Sequence, residues 1–288
     1  MKKFSYPALE PFNFMGLPDQ DYEGAKFIIF PVPYNSTTSW KSGTKDGPQA
    51  IIEASRHIEL YDIETEKDHS KDGIFTLEFL EPSKNSPRET ILRIKEVVDK
   101  ILDDEKFPFI LGGEHSVTLG SVLSLKDKFS DFSVLQFDAH TDLREEYEGT
   151  KYHHACVMKR VRELDISVTH VGIRSTSEEE VEYVKDKKGS SIFYAPDLPI
   201  EKIIDSLKEN VYLSFDLDAL DTSIMPSTGT PEPGGLGWYE VLKLIKAVAE
   251  KKNIIGADVV ELDPVPGLVA PDFLAAKLVY KIIGYVNK

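Results

Sequence analysis

The chain contains little cysteine and no long apolar run. Of its 288 residues only Cys156 is a cysteine, so an intrachain disulfide and a zinc site built from several thiolates are both excluded. Such sparing use of cysteine is typical of reducing compartments, which predicts a cytoplasmic protein. No stretch approaches the roughly 20 apolar residues that a transmembrane helix needs, so we expect no membrane partner.

Basic residues are also scarce relative to acidic ones. Lys and Arg number 34 against 49 Asp and Glu, which gives a formal charge of −15. A protein that binds nucleic acid needs a basic surface to meet the phosphates, so we expect no nucleic-acid partner. A negative field draws cations toward clefts, so the charge is compatible with a small cationic substrate. An acidic solvated surface is the simpler interpretation of the same number.

Short apolar runs, rich in β-branched and aromatic residues and without strict alternation, predict buried parallel strands. They occupy residues 26–32, 107–111, 132–138, 166–173, 191–195, 211–218 and 253–262. Helical patterns lie between them, and the clearest begins at a capping box with Ser86 as its first residue and Glu89 as its last. Strands that alternate with helices predict a parallel sheet covered on both faces, in one domain over residues 1–288.

Two acidic motifs follow predicted strands. Asp138, His140 and Asp142 come at alternate positions after VLQF, so extended backbone would point them to one side. Asp216 and Asp218 follow VYLSF in the same way, and two like charges at the end of a buried strand are unfavourable without a positive partner. Each motif alone is also compatible with a solvated acidic turn.

A histidine follows a third predicted strand. Gly112 and Gly113 allow a tight turn after FPFIL, and His115 comes as a helix begins; alone, such a histidine is more often a polar cap. The carboxyl ends of parallel strands meet at one edge, where open α/β sheets bind ligands. The three motifs together therefore predict a site of two His and four Asp, which can hold two divalent cations about 3.5–4 Å apart. The absence of thiolates favours Mn²⁺ and leaves Zn²⁺, Co²⁺, Fe²⁺ and Ni²⁺ open.

These motifs resemble those of the arginase/agmatinase family of ureohydrolases. The matching stretches are GGEHS (112–116), DAHTD (138–142), SFDLDALD (214–221), TGTPEPGGL (228–236) and DVVELDP (258–264), with weaker matches at GTKDGPQAI (43–51) and GIRS (172–175). They follow the family's order across nearly the whole chain. The resemblance implies a three-layer α/β/α sandwich around a mostly parallel sheet of about eight strands, and a homo-oligomer, usually a trimer or hexamer.

The resemblance also implies a binuclear centre with two Mn²⁺ per subunit. It places one ion on His115, Asp138, Asp142 and Asp216 and the other on His140, Asp138, Asp216 and Asp218, so that Asp138 and Asp216 bridge. In the family a hydroxide between the ions attacks the guanidinium carbon of the substrate, and the products are urea and an amine.

Further residues match the family's substrate and proton-transfer positions. Glu261 corresponds to the carboxylate that binds the guanidinium, and His154 to the histidine that passes a proton to the leaving amine. His153 is the competitor for that second role, but the small residue that follows His154 favours His154. Thr230 matches a site loop and is a candidate substrate-binding residue. A Cys156–His154 nucleophile pair is the alternative chemistry at this point of the chain.

The loop that follows Asp142 bears on the choice of substrate. The arginase pattern is not met, because Arg144 stands where arginases carry Asn, and Glu145, Glu146 and Glu148 follow. We expect this acidic loop, Glu146 in particular, to suit a cationic tail. Agmatine is then the leading candidate and N1-aminopropylagmatine the next.

Several alternatives stay open. Arg144 could pair with a substrate carboxylate, which keeps arginase, guanidinobutyrase and formiminoglutamase activities open. From other classes, a metal-binding homologue without turnover and a deacetylase with a single zinc are the alternatives. His57, His69 and His170 lack convergent partners in the sequence and are interpreted as structural or exposed.

Overall fold

The computed structural model describes residues 9–186 and 189–287. The strands in these residues are β1 (Phe27–Val32), β2 (Tyr61–Asp62), β3 (Lys67–Asp68), β4 (Ile74–Thr76), β5 (Phe107–Gly112), β6 (Ser133–Phe137), β7 (Ser167–Ile173), β8 (Ser190–Tyr194), β9 (Asn210–Asp216) and β10 (Asn253–Val260). The α-helices are α1 (Gly47–Ser55), α2 (Pro87–Asp103), α3 (Thr118–Lys128), α4 (Val157–Arg162), α5 (Glu178–Asp186), α6 (Ile200–Asp205), α7 (Trp238–Lys251) and α8 (Ala270–Val286). None of the described helices has the length and apolar character that crossing a membrane requires.

Eight of these strands form one sheet in the order β4-β1-β5-β10-β9-β6-β7-β8. Each neighbouring pair in it is parallel, while β2 and β3 form a separate antiparallel pair. Seven of the eight were expected from apolar runs. The eighth, β4, is three residues long at the sheet edge, too short to produce a recognisable run.

A hydrophobic core covers each face of the sheet. Successive side chains of a strand point to opposite faces, so Phe27 and Ile29 of β1 pack into the core that contains α1, α6, α7 and α8. Phe30 and Val32 pack into the other core, with α2, α3 and α4. Helices on both faces of a parallel sheet make three layers, and the predicted α/β/α sandwich is confirmed. The expectation of one domain over residues 1–288 stays a prediction.

The strand order brings the candidate site residues together. The neighbours β5, β10, β9 and β6 occupy the middle of the sheet, and because they are parallel their carboxyl ends lie at one edge. His115 follows β5, Asp138 follows β6, Asp216 ends β9 and Glu261 follows β10. Residues far apart in sequence are therefore neighbours at this edge.

The loop between β1 and α1 folds over the same edge. The backbone N–H of Glu114 donates to the carbonyl of Tyr34 at 2.8 Å, and a Cβ atom on Gly113 would lie 1.9 Å from that carbonyl oxygen. Glycine at position 113 is thus required for the loop to approach so closely. Helix α1 follows this loop, and Pro48 in its first turn is compatible with a helix.

A buried ion pair attaches the β2–β3 hairpin to α8. Lys281 Nζ lies 2.8 Å from Asp62 Oδ2 and 2.8 Å from Glu64 Oε2, and the Tyr285 hydroxyl also donates to Glu64 at 2.6 Å. The side chains of Lys281 and Asp62 are 9% and 2% exposed. Removing one partner of such a pair leaves a buried charge without compensation.

We predict that Lys281→Met lowers the free energy of unfolding by about 3 kcal/mol, because it leaves the buried Asp62 carboxylate without a positive partner. The matched control is Lys251→Met, since Lys251 pairs with Glu201 at 2.6 Å with side chains 48% and 74% exposed. The control should cost much less, because solvent screens an exposed pair. Urea unfolding at fixed protein concentration measures both, and equal losses would contradict the structural role given to Lys281.

Candidate active site

Two groups of possible metal-binding atoms meet at the carboxyl edge of the sheet. His115, Asp138 and Asp142 form one group, and Asp138, His140 and Asp218 form the other; the ligand atoms within each group lie within 4.8 Å of one another. The groups share Asp138. Asp216 stands beside the first group, with Oδ2 3.4 Å from His115 Nδ1. The six residues expected to bind metal are therefore close together.

Polar neighbours orient His115 for such a role. Its Nε2 lies 2.9 Å from the Ser214 hydroxyl, and that hydroxyl donates to Asp258 Oδ1 at 2.8 Å. Ser214 uses its proton on Asp258, so it accepts from Nε2–H and leaves Nδ1 facing the carboxylates. That atom lies 3.1 Å from Asp138 Oδ2 and 3.0 Å from Asp142 Oδ2.

Asp258 was not singled out in the sequence, although it lies in a matched motif. Its carboxylate also accepts from the hydroxyls of Thr118 at 2.8 Å and Tyr212 at 2.7 Å. Three hydroxyl donors around one buried carboxylate fix its position, and through Ser214 they fix the ring of His115. The motif match alone carried no signal of this arrangement.

The shared carboxylate of Asp138 has its own supporting chain. Gln136 Nε2 donates to Asp138 Oδ2 at 2.6 Å, and the amide oxygen of Gln136 is hydrogen-bonded to His170 Nδ1. His170 is fully buried, and burial lowers its pKa to about 3, so it is a neutral donor. His170, interpreted from the sequence as structural or exposed, is buried and structural, because its partner Gln136 holds a candidate ligand.

Charges in the cluster shift one another's protonation. Burial opposes a positive His115, but Asp138, Asp142 and Asp216 outweigh burial and raise its pKa well above the usual value. Burial also opposes a positive His140, but Asp218 and Asp138 outweigh burial and raise the pKa of His140 to about 12.

The carboxylates respond in different directions. Burial and the charge of Asp138 raise the pKa of Asp142 to about 6. Burial and the charges of Asp218 and Asp138 raise the pKa of Asp216 well above its usual value. Burial would also raise the pKa of Asp138, but His115 and His140 lower it strongly. Four carboxylates at this site therefore depend on positive partners.

The donor set fits divalent cations. His115 Nδ1 is buried and has no hydrogen-bond partner, yet three carboxylate oxygens lie within 3.4 Å of it. A nitrogen left free among carboxylates, with no sulfur among the described neighbours, matches the ligands that Mn²⁺ and similar ions accept. The presence of two donor groups also argues against a deacetylase with a single zinc.

The adjacent histidines point to different places. His154 lines the pocket, with Nδ1 3.5 Å from Glu261 Oε1 and Nε2 2.7 Å from the hydroxyl of Ser39. Burial would lower the pKa of His154, but Glu261 outweighs it and raises the pKa. His153 is 1% exposed and caps the turn that follows, with Nδ1 accepting from the N–H of Ala155 at 3.2 Å. Burial, with the charge of His154, lowers the pKa of His153 to about 3.

Glu261 lies between His154 and the first donor group. Its Oε1 accepts from the backbone N–H of His115 at 2.7 Å, and its own N–H donates to the carbonyl of Gly113 at 2.8 Å. The backbone of Glu261 is left-handed, with φ 66°. This turn directs the carboxylate into the pocket.

The pocket is a cavity of about 190 Å³. Thr230 lines it, with Oγ1 3.5 Å from Asp218 Oδ2. Glu146 is exposed and is not among the lining residues, and its contact with a substrate stays a prediction. Sequence reasoning missed Ser39, Tyr147 and Glu180, which line the pocket together with the residues above.

Two residues that left alternatives open are now located. The Arg144 guanidinium stacks over the Tyr147 ring at 4.7 Å and also lines the pocket. Cys156 is buried, and burial raises the pKa of its thiol to about 12. A thiol that stays protonated at neutral pH is a poor nucleophile, which argues against the Cys156–His154 alternative.

Known proteins resemble this chain over nearly its whole length. The model of the arginase family matches residues 25–284. The chain is 39% identical over 276 residues to the N(1)-aminopropylagmatine ureohydrolase of Synechocystis sp., covering 92% of this chain and 90% of that protein. It is 37% identical over 292 residues to the enzyme of the same name from Thermococcus kodakarensis, covering 99% of this chain and 96% of that protein. The solved structure of the agmatine ureohydrolase of Thermoplasma volcanium superposes with a TM-score of 0.87 at 34% identity, covering 97% of this chain and 94% of that one.

The pKa directions predict that metal binding releases protons. The pKa values of His115 and His140 are raised above neutrality by their carboxylate neighbours, so both rings carry a proton that a cation must displace. Calorimetry of Mn²⁺ binding to the metal-free protein in two buffers of different ionisation enthalpy should show proton release. Apparent affinity should rise as the pH rises, and an affinity that does not vary with pH would contradict this protonation pattern.

Proposed function

The chain belongs to the arginase family, and we propose that it hydrolyses the guanidinium group of agmatine to give putrescine and urea. Membership makes it a ureohydrolase that acts on guanidino carbon–nitrogen bonds. The observation that carries the proposal is the position of Glu261, whose carboxylate stands between His154 and the two donor groups in one pocket. A buried carboxylate in that place can hold a planar guanidinium beside the metal-binding residues.

The proposed metal centre holds two Mn²⁺ per subunit. One ion would be held by His115, Asp138, Asp142 and Asp216. The other would be held by His140, Asp138, Asp216 and Asp218. When bound, two divalent cations supply an activated water near neutral pH. The donor groups that share Asp138 support this assignment; the second bridging role, of Asp216, stays a prediction.

In the proposed reaction the chain's own residues position the substrate and move one proton. Glu261 receives the guanidinium, and the His115 N–H holds that carboxylate in place. His154 gives a proton to the nitrogen of the leaving amine. Its raised pKa supports a ring that is charged and able to donate, whereas the lowered pKa of His153 argues against the neighbour.

The tail of the substrate is the less constrained part. Thr230 and Arg144 line the pocket, and the Arg144 guanidinium is already engaged with the ring of Tyr147, which supports a substrate without a carboxylate. The names of two similar relatives favour N1-aminopropylagmatine as a second candidate. It carries the same agmatine group and would undergo the same chemistry. The expected cytoplasmic location and the homo-oligomer, trimer or hexamer, stay predictions.

A urea-release assay on Mn²⁺-loaded protein tests the substrate. We expect kcat/KM to be higher for agmatine and N1-aminopropylagmatine than for arginine and guanidinobutyrate, because Glu261 and its neighbours favour a cationic substrate. The ratio of kcat/KM for agmatine to that for N1-aminopropylagmatine decides which of these two is the preferred substrate. A higher kcat/KM for arginine, or for guanidinobutyrate, would reject the proposal and give Arg144 a role in binding a carboxylate.

A control separates the metal centre from the substrate choice. Asp138→Asn should retain fewer than two Mn²⁺ per chain, measured by elemental analysis, because the shared carboxylate loses its charge. Two ions per chain in this variant would contradict the bridging role. If the unmodified protein holds two ions yet releases urea from none of the four compounds, a metal-binding homologue without turnover is the better interpretation.

The adjacent histidines provide a matched pair of variants. His154→Asn should keep both metal ions and lower kcat by about a hundredfold, because general acid–base catalysis contributes about that factor or more. His153→Asn should leave kcat nearly unchanged, since Asn also caps a helical turn by accepting from a backbone N–H. Loss of turnover in His153→Asn with retention in His154→Asn would reverse the assignment.

A further inference from the structure

We propose that Ser39 is a positioning residue that holds the imidazole of His154 in one orientation while the ring gives up and regains its proton. This inference rests on the proposed function, because it concerns the same proton transfer. The site residues that the family resemblance implied did not include Ser39, and its role follows from contacts between two loops that are distant in sequence.

The two ring nitrogens of His154 face different partners. Nε2 lies 2.7 Å from the Ser39 hydroxyl, and Nδ1 lies 3.5 Å from Glu261 Oε1. Ser39 is exposed at the pocket, whereas the side chain of His154 is largely buried. The ring is therefore held between a carboxylate on its inner side and a hydroxyl on its outer side.

The loop that carries Ser39 is anchored by a buried carboxylate. Glu114 is fully buried and accepts from the N–H of Thr37 at 2.6 Å and from the Thr37 hydroxyl. The same hydroxyl accepts from the backbone N–H of His154 at 3.1 Å. Glu114 thus fixes Thr37, and the loop contacts both the backbone and the ring of His154.

A hydroxyl suits this position because it can reverse its role. When the ring is charged, Nε2–H donates to the Ser39 oxygen. When the ring has given up one proton, the hydroxyl still accepts from Nε2–H if Nε2 keeps the remaining proton, and donates to Nε2 if Nδ1 keeps it. The hydrogen bond therefore persists in both states. An alanine at position 39 would offer neither interaction, and the ring would be free to turn about its side-chain bonds.

The proton balance requires both states in each cycle. As the carbon–nitrogen bond breaks, its electron pair stays with the amine nitrogen, which takes one proton from His154. The ring is then neutral, and a proton released by the attacking water restores its charge. A ring that changes orientation between these steps would slow the transfer without changing how the guanidinium binds to Glu261.

The experiment compares Ser39→Ala, Ser39→Thr and Ser42→Ala with the unmodified protein. We expect Ser39→Ala to lower kcat for agmatine about tenfold, as loss of a supporting hydrogen bond commonly does. KM should stay within about twofold, and the solvent deuterium isotope effect on kcat should rise, because proton transfer becomes slower. Ser39→Thr retains a hydroxyl and should recover most of kcat. Ser42 lies in the same loop and is exposed, so Ser42→Ala should have no effect.

A spectroscopic readout is independent of turnover. In the metal-free protein with ¹⁵N-labelled histidine, the neutral ring of His154 should carry its proton on Nδ1, and Ser39→Ala should shift the Nε2 resonance downfield as the hydrogen bond is lost. His154→Asn assigns the signal. An Nε2 resonance that does not move in Ser39→Ala would show that the ring makes no hydrogen bond to Ser39, and would overturn the inference.

The outcomes separate this inference from the proposed function. If the unmodified protein releases no urea from agmatine or N1-aminopropylagmatine, the proposed function fails, while the Nε2 resonance still tests the contact. If urea is released and Ser39→Ala matches Ser42→Ala in kcat, only the role of Ser39 fails. A lower kcat without recovery in Ser39→Thr and without a change in isotope effect would show a merely structural role, and would also overturn the inference.

Discussion

Repulsion among four buried carboxylates is the constraint on which the rest of the site depends. Asp138, Asp142, Asp216 and Asp218 all lie at the carboxyl edge of the sheet and are nearly inaccessible to solvent, so water cannot screen their charges. Backbone N–H groups offset part of the repulsion, since the N–H of Ala139 donates to Asp218 at 2.9 Å and that of Asp218 to Asp216 at 2.9 Å. The remaining charge demands protons or cations, which gives the cluster its affinity for divalent ions.

Meeting that constraint requires unusual backbone at two site residues. Asp142 and Glu261 both have left-handed backbone, with φ of 52° and 66°, a conformation that costs free energy in residues other than glycine. Around Asp142, the buried Glu180 accepts from the N–H of Leu143 at 2.9 Å and the hydroxyl of Thr141 at 2.8 Å. These bonds hold the loop on both sides of the strained residue. The strain is located where a carboxylate must turn inward.

The sequence predicts those features that depend on one segment at a time. The alternation of Asp138, His140 and Asp142 and the apolar run before it are local, and they predict both a strand and the side to which its last residues point. The sheet order needs no more than parallel pairing to bring such segments together. Strand β4 was missed because it is only three residues long, and helix α1 was missed because it is short and begins with Gly47 and Pro48, so neither has a distinctive local pattern.

Features that depend on two distant segments were not predictable in this way. Ser39 and His154 are 115 residues apart, and nothing distinguishes Ser39 from the other Ser and Thr residues of its loop. Gln136 lies in the interior of a strand, and its contact with Asp138 depends on the sheet's geometry. Such supporting residues carry no motif because their roles are set by tertiary contacts, although they decide how firmly the predicted residues are held.

Tertiary contacts also limit how far the net charge of the chain explains the choice of substrate. The acidic loop after Arg144 appeared suited to a cationic tail, but Glu145 is paired with Lys151 at 2.9 Å and lies 3.5 Å from Arg160. A carboxylate already neutralised by lysine and arginine exerts little field on a ligand. In the proposed function, the negative charge that acts on the substrate is therefore that of the buried cluster and of Glu261. The formal charge of the chain therefore says little about which guanidine it accepts.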